Sequence, residues 1–346
     1  MSFITDVVSS DVIFYLSFMT ATILGNYARA GTTSLATYSP SYVKSGSIIW
    51  SNLSSCLLMG LFQELKAARW FAPEDLTPFF TTLTTGFCGG YSSYSTMMLE
   101  TFQQSASLSR SDIERSERLP NRAYGIMEFL AVLVTQLFAS MGSYLFGRGL
   151  GKSIIVPLAR RRPLEDKTDG PQPPVLKALR ILQWIFALVA LPLVALLIVL
   201  ACIYGNHSRA AWTLPALFGI FGGYLRYALS EWLNGLVKPF PIGTFVGNQI
   251  AVVTQAVFQL LIRGRQDYRQ ALPIACTRNA CHVVTALASG FASTLSTIST
   301  MMNEGYSLEF TQMLTYFIAS ISVSYCLYIV ILGSYAWTRG LTIPLC

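Results

Sequence analysis

Residues 86–97 read GFCGGYSSYSTM, and this stretch decides the fold because it lies within an apolar segment long enough to cross a membrane. Two adjacent glycines followed by a run of hydroxyl-bearing residues weaken helical continuity. Backbone carbonyls left unpaired at bilayer depth are tolerated only where protein or a polar cavity surrounds them. The stretch therefore predicts a broken membrane-crossing helix that is buried inside the protein.

The same pattern returns at residues 290–301, GFASTLSTISTM, which keep the opening Gly-Phe and the hydroxyl groups but lose the paired glycines. Three further landmarks recur in the same order: Arg29 and Arg226, Asn52 and Asn248, and GSYLFGRGL at 142–150 with GSYAWTRGL at 333–341. We infer a duplicated and fused domain. Small residues that merely allow close helix packing are the alternative, which is weaker because the pattern occurs twice in register.

Composition places this duplication in a membrane. The 346 residues are 53% hydrophobic and 12% charged, with a mean hydropathy of +0.49, whereas soluble domains carry roughly 25% charged residues. The net charge of +7 resides mainly in short connections between apolar runs, which predicts no nucleic-acid partner. The seven cysteines include no C-x-x-C pair, so we interpret them as apolar fillers and expect neither a disulfide framework nor a zinc site. The acidic amino-terminal stretch predicts no cleaved signal peptide.

Runs of about 20 mainly apolar residues predict nine membrane spans. Four lie in the first copy and four in the second, with one between them: 11–36, 46–65, 77–98, 124–147, then 176–203, then 212–234, 242–263, 277–302 and 310–338. The predicted units are a first repeat over 1–150, a basic loop and linker helix over 151–205, and a second repeat over 206–346.

The linker span sets the relation between the two copies. A four-span repeat fused directly to a second would leave both copies with the same orientation, and one extra span inverts the second copy. We therefore expect an all-α integral membrane fold of two inverted four-helix repeats, with the third helix of each repeat broken. A fifth core helix is the alternative interpretation of residues 176–203, disfavoured by their scarcity of small or polar contact positions.

Membrane orientation is not decided by charge. Assigning Lys and Arg to alternate sides divides them equally, so the excess of positive charge expected on the cytoplasmic side is missing. The dense basic cluster within 148–180 favours a cytoplasmic amino terminus. The sequon Asn206-His207-Ser208 on the opposite side agrees with that orientation.

Taken together, these motifs resemble the Fluc/CrcB/FEX family of fluoride channels, specifically the fused eukaryotic form. Three motifs carry the resemblance. The first is an arginine in the first span of each copy, Arg29 and Arg226, the latter ending a G-x-x-R. The others are G-T-x-x-x-N at 243–248, of which the first copy keeps only Asn52, and GFCGGYSSYST. The resemblance implies passive, selective fluoride export across the plasma membrane by a multi-pass protein that works as a monomeric, fused pseudo-dimer in the bilayer. It also implies a structural sodium ion between the two antiparallel domains.

Fluoride is tightly hydrated and accepts hydrogen bonds, so a pore must replace water with uncharged donors. Asn52 and Asn248 each place one amide within a span, where a charged side chain would be costlier to bury. We expect both to line a pore together with Thr244, although an asparagine that only bridges two helices is the alternative.

Two pore phenylalanines follow the broken span in the resembled family, and this chain departs from that pattern. The matching positions hold Tyr94, Met97, Ile298 and Met301. Fused members of the family are expected to keep one working pathway and one decayed pathway, and these substitutions fit that asymmetry. Tyr94 is the strongest candidate because it keeps an aromatic edge and adds a hydroxyl donor.

The resemblance further implies that backbone carbonyls of Gly89, Ser92, Ser293 and Ser296 hold the sodium ion, which suits a hard cation. Arg29 and Arg226 are expected to line the aqueous vestibules and attract the anion, with a snorkelling arginine at a helix end as the alternative. Ser143 and Ser334 of the repeated GSY element are expected to extend a polar track, or else to allow close helix packing.

Two other classes of protein remain open at this point. A proton-coupled secondary transporter of a small anion also uses inverted repeats and broken helices, and Glu128 and His282 are its plausible proton relays. An intramembrane enzyme is disfavoured because the chain holds two histidines and neither a G-x-S-x-G nor an H-E-x-x-H motif. The sequence therefore predicts a channel and no catalytic residues.

Overall fold

The computed structural model describes residues 2–37, 43, 46–108, 121, 123–157, 173–204, 210–267 and 272–346. Their regular secondary structure is helical, with two isolated β-bridges, which confirms the predicted all-α class. The sequon Asn206-His207-Ser208 and most of the basic connection, residues 158–172, lie outside the described residues.

Six α-helices lie among the described residues of the first half. They are α1 Ser2–Leu35, α2 Ile49–Ala67, α3 Thr77–Thr81, α4 Gly89–Tyr91, α5 Tyr94–Ser105 and α6 Ala123–Leu150. A π-helical segment, Thr82–Cys88, joins α3 to α4, and a second, Gly151–Ile155, follows α6.

The linker and the second half contribute eight more over the ranges that the structure describes. They are α7 Pro173–Tyr204, α8 Ala210–Leu233, α9 Ile242–Arg263, α10 Arg278–Ala286, α11 Ser293–Leu295, α12 Ile298–Ser307, α13 Phe310–Tyr328 and α14 Ser334–Thr338. A π-helical segment, Leu287–Ala292, joins α10 to α11, and another, Ile329–Gly333, joins α13 to α14.

Five helical stretches among the described residues are long and apolar enough to cross a membrane. They are Ala123–Ile155, Pro174–Tyr204, Ile242–Arg263, Arg278–Ser307 and Phe310–Thr338. The other four predicted spans are helical as well but are not among these five. The chain is thus a multi-pass helical membrane protein.

Helix α7, the linker, lies at the periphery and packs along α1. Its large apolar side chains are mostly exposed, including Leu188 and Leu191. Two hydroxyls of α1 attach it: Ser17 donates to the carbonyl of Gln183 at 3.2 Å and Thr20 to that of Phe186 at 2.7 Å. This position fits a linker between repeats better than a core helix.

The two interrupted crossings, residues 77–105 and 278–307, are built alike. In each, a short α-helix passes through a π-helical segment and one α-turn before the helix stops, at Ser92–Ser93 in the first crossing and Ser296–Thr297 in the second. All four of these residues have extended backbone, and a new helix begins immediately afterwards. The sequence located this interruption in both copies.

The paired glycines, however, are not where the first crossing breaks. Gly89 and Gly90 are helical, and the helix stops two residues later. A Cβ atom at Gly89 would fall on the guanidinium of Arg226. Glycine is needed at this position because an arginine of the second repeat packs directly against the helix.

Helices α1 and α8, which carry the matching arginines, pack antiparallel. Phe14 contacts Tyr227, with ring centroids 5.2 Å apart, and Phe18 contacts Tyr224 at the same distance. Further along, the side chain of Asn26 lies against Gly219. Contacts that advance along α1 while they retreat along α8 mean that the two helices run in opposite directions.

The expectation that the chain forms no disulfide is wrong for one pair. Cys281, at the start of the second interrupted crossing, is bonded to Cys346, with Cα atoms 5.9 Å apart. The segment after α14 folds back to make this contact: the amide of Thr342 donates to the carbonyl of Arg263 at 2.7 Å. The pairing depends on that return and leaves no spacing signal in the sequence.

Candidate functional site

The helix break in each repeat is capped by an asparagine from the preceding helix. Asn52 Oδ1 accepts from the backbone amide of Ser93, and Asn248 Oδ1 accepts from that of Thr297, both at 2.9 Å. Each Nδ2 faces the carbonyl of the same residue, at 3.4 and 3.5 Å. Both predicted pore asparagines thus satisfy backbone groups that the break leaves without helical partners.

The two breaks meet through a cluster of buried hydroxyls. Ser296 Oγ accepts from the amide of Ser95 at 2.9 Å, and Ser92 Oγ accepts from the amide of Ser299 at 3.4 Å. Ser93 and Thr297 also cap the helices that follow, α5 and α12. Each repeat therefore supplies capping groups for the crossing of the other.

This capping removes the helical donors of the four carbonyls that the resemblance assigned to a cation, although the carbonyl of Ser293 still accepts from the hydroxyl of Ser296 at 3.3 Å. In an unbroken helix, the carbonyls of Gly89 and Ser293 would accept from the amides of Ser93 and Thr297, which donate to Asn52 and Asn248 instead. The carbonyls of Ser92 and Ser296 lose their helical donors to the caps in the same way. Uncharged oxygens at two converging helix ends form a donor set that fits a hard cation such as sodium.

Arg29 and Arg226 are both buried and bridge the two interrupted crossings. Arg29 donates to the carbonyl of Gly90 in its own repeat at 2.6 Å and to that of Ser289 in the other repeat at 2.5 Å. Arg226 mirrors this arrangement, donating to Thr294 of its own repeat at 2.6 Å and to Thr85 of the other.

The π-helical segments explain why the carbonyls of Thr85 and Ser289 can accept from an arginine of the other repeat. A π-turn disturbs the regular ladder of helix hydrogen bonds and turns individual carbonyls outward, and Thr85 and Ser289 lie within the two π-segments. The arginines thus lie at the contact between the repeats and close to the breaks. Their assignment to vestibules remains a prediction.

All four residues at the predicted phenylalanine positions are fully buried: Tyr94, Met97, Ile298 and Met301. Tyr94 belongs to the first repeat, but its hydroxyl lies 3.1 Å from Ser324 of the second. Ser324 in turn donates to Gln249, the neighbour of Asn248, at 2.9 Å. Tyr94 therefore extends a polar chain of the second repeat, and the aliphatic side chain of Ile298 offers no hydroxyl at the matching position.

Thr244 contacts a glutamate that the sequence interpretation left without a site role. Its hydroxyl donates to Glu304 at 2.5 Å, and Tyr316 donates to the same carboxylate at 3.0 Å. Glu100 of the first repeat is bound in a similar way: the hydroxyl of Ser47 and the backbone amide of Ile48 donate to its carboxylate at 2.9 and 2.7 Å. The sequence did contain a signal for these glutamates, since Glu100 and Glu304 stand at matching positions of the two repeats, three residues after Met97 and Met301.

The first repeat adds a link that the second lacks. Gln136 accepts from the amide of Asn52 at 3.2 Å and donates to Glu100 at 2.8 Å, which joins the asparagine to the carboxylate. In the second repeat Ser320 Oγ is buried with no hydrogen-bond partner among the described residues. The polar groups of the second repeat are thus less fully paired.

The repeated GSY serines lie in unlike surroundings. Ser143 is buried and donates to the carbonyl of Leu53 at 2.7 Å, between α6 and α2. Ser334 is exposed and donates to Val330 within its own helical turn. Ser334 therefore lies apart from the buried polar groups, because the end of this crossing turns that face of the helix outward.

The fold and its site define a helical membrane protein with two interrupted crossings that cap each other. Comparison with known families gives the particular family: the CrcB-like protein family, Camphor Resistance (CrcB), matches residues 16–147 and 213–334, so the chain belongs to it. Both matched segments contain one interrupted crossing, in agreement with the two repeats inferred from the sequence.

Named relatives agree with this family. The chain is 44% identical to Fluoride export protein 1 of Saccharomyces cerevisiae over 96% of its length and 95% of the relative. It is 35% identical to Fluoride export protein 1 of Candida albicans over 94% and 80%. A Fluoride-specific ion channel FluC of Nitrobacter winogradskyi is 37% identical over 22% of the chain and 53% of the relative. No solved structure matches the chain.

Proposed function

We propose that this chain is a fluoride channel that lets fluoride leave the cell passively. Relatives that match nearly the whole chain are named fluoride export proteins. The observation that carries the proposal is the pair of interrupted crossings, where amides and hydroxyls gather at the break. A small, strongly hydrated anion needs such neutral donors in place of water, and a buried full charge would hold it too tightly.

The proposed architecture is nine spans in two inverted repeats. It is supported by the antiparallel packing of α1 against α8 and by the mirrored contacts of Arg29 and Arg226. Contacts between connections agree with it. Asp75 and Arg180, which form an ion pair at 2.6 Å, fall on one predicted side of the membrane, and Leu108 and Arg263, joined at 2.9 Å, fall on the other.

The proposed conducting route runs through the second repeat, beside α9 and α13. Two uncharged donors support this choice: the amide of Asn248, whose one contact among the described residues is the carbonyl of Thr297 at 3.5 Å, and the buried hydroxyl of Ser320. The hydroxyl of Tyr94 donates to Ser324 and holds the polar chain beside them in place. In the first repeat the corresponding amide of Asn52 is bonded to Gln136. Donors already held by protein groups must break a hydrogen bond to serve an anion, so we propose that the first route has decayed.

A structural sodium ion is proposed at the carbonyls of Gly89, Ser92, Ser293 and Ser296. Bound there, it would join the two breaks and place positive charge near the anion route. The test exchanges sodium for N-methylglucamine during purification and reconstitution of the full chain. We expect a lower melting temperature and a loss of fluoride flux, both restored by sodium. Unchanged values for both would overturn the sodium site and leave the channel assignment intact.

The proposed location is the plasma membrane, with the amino terminus in the cytoplasm. The bond between Cys281 and Cys346 supports this orientation, because disulfides persist in oxidising compartments and both cysteines fall on the side opposite the predicted amino terminus. A Cys281→Ser variant in which the exposed free cysteines Cys202, Cys276 and Cys326 are also serine leaves Cys346 as the reporter. Labelling by a membrane-impermeant maleimide on intact cells is expected, and labelling only after permeabilisation would reverse the orientation.

The decisive test of function is ion efflux from liposomes that contain the purified full chain. Fluoride and chloride are loaded at equal concentration, and ion-selective electrodes follow both, with protein-free vesicles as the control. Fluoride is expected to leave while chloride stays. Equal rates would overturn the fluoride assignment.

A proton-coupled transporter of a small anion is the competing function. It predicts flux that follows a pH gradient at fixed voltage and that Glu128→Gln abolishes, whereas a channel predicts flux that follows the fluoride gradient and voltage alone. Glu128 lies on α6, outside the contacts described for the two breaks.

A further inference from the structure

A cavity separate from the two breaks opens where the amino-terminal part of α1 crosses the carboxyl-terminal part of α8. Its volume is about 650 Å³, and it is lined by Tyr15, Tyr224, Tyr227, Ala228, Glu231 and Trp232. This size falls within the range of small-molecule sites, roughly 300–1,000 Å³. None of these residues belongs to an interrupted crossing.

The aromatic walls are held in place from behind. Tyr224 stacks on the fully buried Phe18, with centroids 5.2 Å apart, and its hydroxyl donates to the carbonyl of Tyr15 at 2.5 Å. Tyr227 packs against Phe14 and Phe18 at 5.2 and 5.7 Å. Since packing fixes these rings before any ligand arrives, a ligand would not bear the cost of ordering them.

The charge of the cavity is negative. Glu231 lines it and is exposed, and Asp11, one helical turn before Tyr15, is exposed on the same face of α1. No basic side chain is among the six lining residues. Ring faces and a nearby carboxylate together attract a cation that is large and apolar, of which a quaternary ammonium is the usual example.

The duplication supplies an internal control, because α1 and α8 are equivalent helices aligned by Arg29 and Arg226. The opposite end of the same helix pair should then hold a copy of the cavity. The six positions that correspond there are occupied by Trp212, Tyr27, Ala30, Gly31, Ser34 and Leu35. That end has two aromatic residues and no carboxylate, so the aromatic, acidic lining of the cavity does not arise simply because these two helices cross.

The geometry points to a binding site for the choline headgroup of a phospholipid. Trp232 and Tyr15 are 74% and 49% exposed, which opens the cavity to the membrane surface. Phe221 and Leu225 are also exposed and lie on the face of α8 that continues from the cavity toward the middle of the helix. This apolar strip gives an acyl chain a place to lie, which free choline would not use.

The test measures lipid retained by the purified full chain in native mass spectrometry. Dioleoyl phosphatidylcholine and dioleoyl phosphatidylethanolamine, which differ only in headgroup, are added in equal amounts. We expect roughly tenfold more phosphatidylcholine to be retained. Glu231→Gln and the double variant Tyr15→Leu, Trp232→Leu should bring the ratio close to one. The matched control, Trp212→Leu at the opposite end, should leave the preference unchanged.

Folding is monitored by fluoride efflux, which we expect all of these variants to retain. Equal retention of the two lipids by the unaltered chain would overturn the proposal, as would a preference that survives Glu231→Gln and the double variant. Choline chloride is the last arm: displacement of the lipid by submillimolar free choline would overturn the phospholipid as the source. A negative result here leaves the channel proposal standing, since the efflux measurement is independent of it.

Discussion

The two breaks share one backbone design and differ in how their surroundings are paired. In the first repeat, Gln136 joins the amide of Asn52 to the carboxylate of Glu100. In the second, the amide of Asn248 faces the Thr297 carbonyl at 3.5 Å, and the hydroxyl of Ser320 has no partner among the described residues. The two repeats share one framework, while the side chains around the second break are less fully hydrogen-bonded among the described residues.

The largest expected effect is that of Asn248→Asp. The carboxylate still accepts from the amide of Thr297, so the cap survives, but the donor is lost and a charge is placed in the span. At about 3 kcal/mol, the cost of that charge corresponds to roughly a 100-fold fall in fluoride efflux. Asn52→Asp, the matched variant, should change efflux much less. A loss of about half in each variant would mean that both routes conduct.

Tyr94→Phe removes one hydroxyl and keeps the ring. We expect efflux to fall by about tenfold, because Ser324, which donates to Gln249, loses the donor that orients it beside the route, at an energetic cost of about 1.5 kcal/mol. Tyr144→Phe is the control, since that hydroxyl lies on α6, which packs against α2 of the first repeat, and donates to Asn303 at 2.9 Å. A larger loss for Tyr144→Phe than for Tyr94→Phe would move the conducting route to the first repeat.

Ser320→Ala separates conduction from stability. No hydrogen bond to a described residue is lost, so the melting temperature should stay within about 1 °C. Efflux should nevertheless fall by about fivefold, because one donor toward the anion is removed. Ser140→Ala, at a buried serine of the first repeat, should leave efflux unchanged. A stability loss without an efflux change at Ser320 would assign that serine to packing.

Cys281→Ser has the smallest expected effect on efflux. The disulfide ties the segment after α14 to the second interrupted crossing and lies away from both breaks. We expect unchanged flux and a melting temperature lower by roughly 5 °C. A matched Cys276→Ser variant, at an exposed free cysteine, controls for loss of a thiol. Slower efflux in Cys281→Ser alone would connect this segment to the route.

The sequence located the breaks because polar side chains inside an apolar run have few physical explanations. The exact position of the first break was not predictable from helix propensity. Gly89 and Gly90 are the weakest helix formers in the stretch, yet both are helical. The glycine at position 89 has a different cause, because Arg226 leaves no room there for a side chain. A contact between repeats decided what local preference could not.

The surroundings of the arginines were beyond sequence reasoning for a related reason. Arg29 and Arg226 could be recognised as a matched pair, but the carbonyls that receive them lie in π-helical segments of the other repeat. Nothing in a single sequence marks where a helix will form a π-turn. Similarly, the partner of Cys281 stands 65 positions away and is brought close only by the returning segment.

The exchange of contacts between repeats has a consequence for biosynthesis. The guanidinium of Arg29 is completed by the carbonyl of Ser289, which enters the chain 260 residues later. At roughly 5–20 residues per second, the ribosome needs on the order of tens of seconds to supply that partner. During this interval the guanidinium of Arg29 in the newly inserted first half can donate only to groups of its own repeat, such as the carbonyl of Gly90. The insertion machinery would have to shield the side chain of Arg29 until Ser289 is made. Truncated chains that stop before Ser289 should therefore be substrates for membrane quality control.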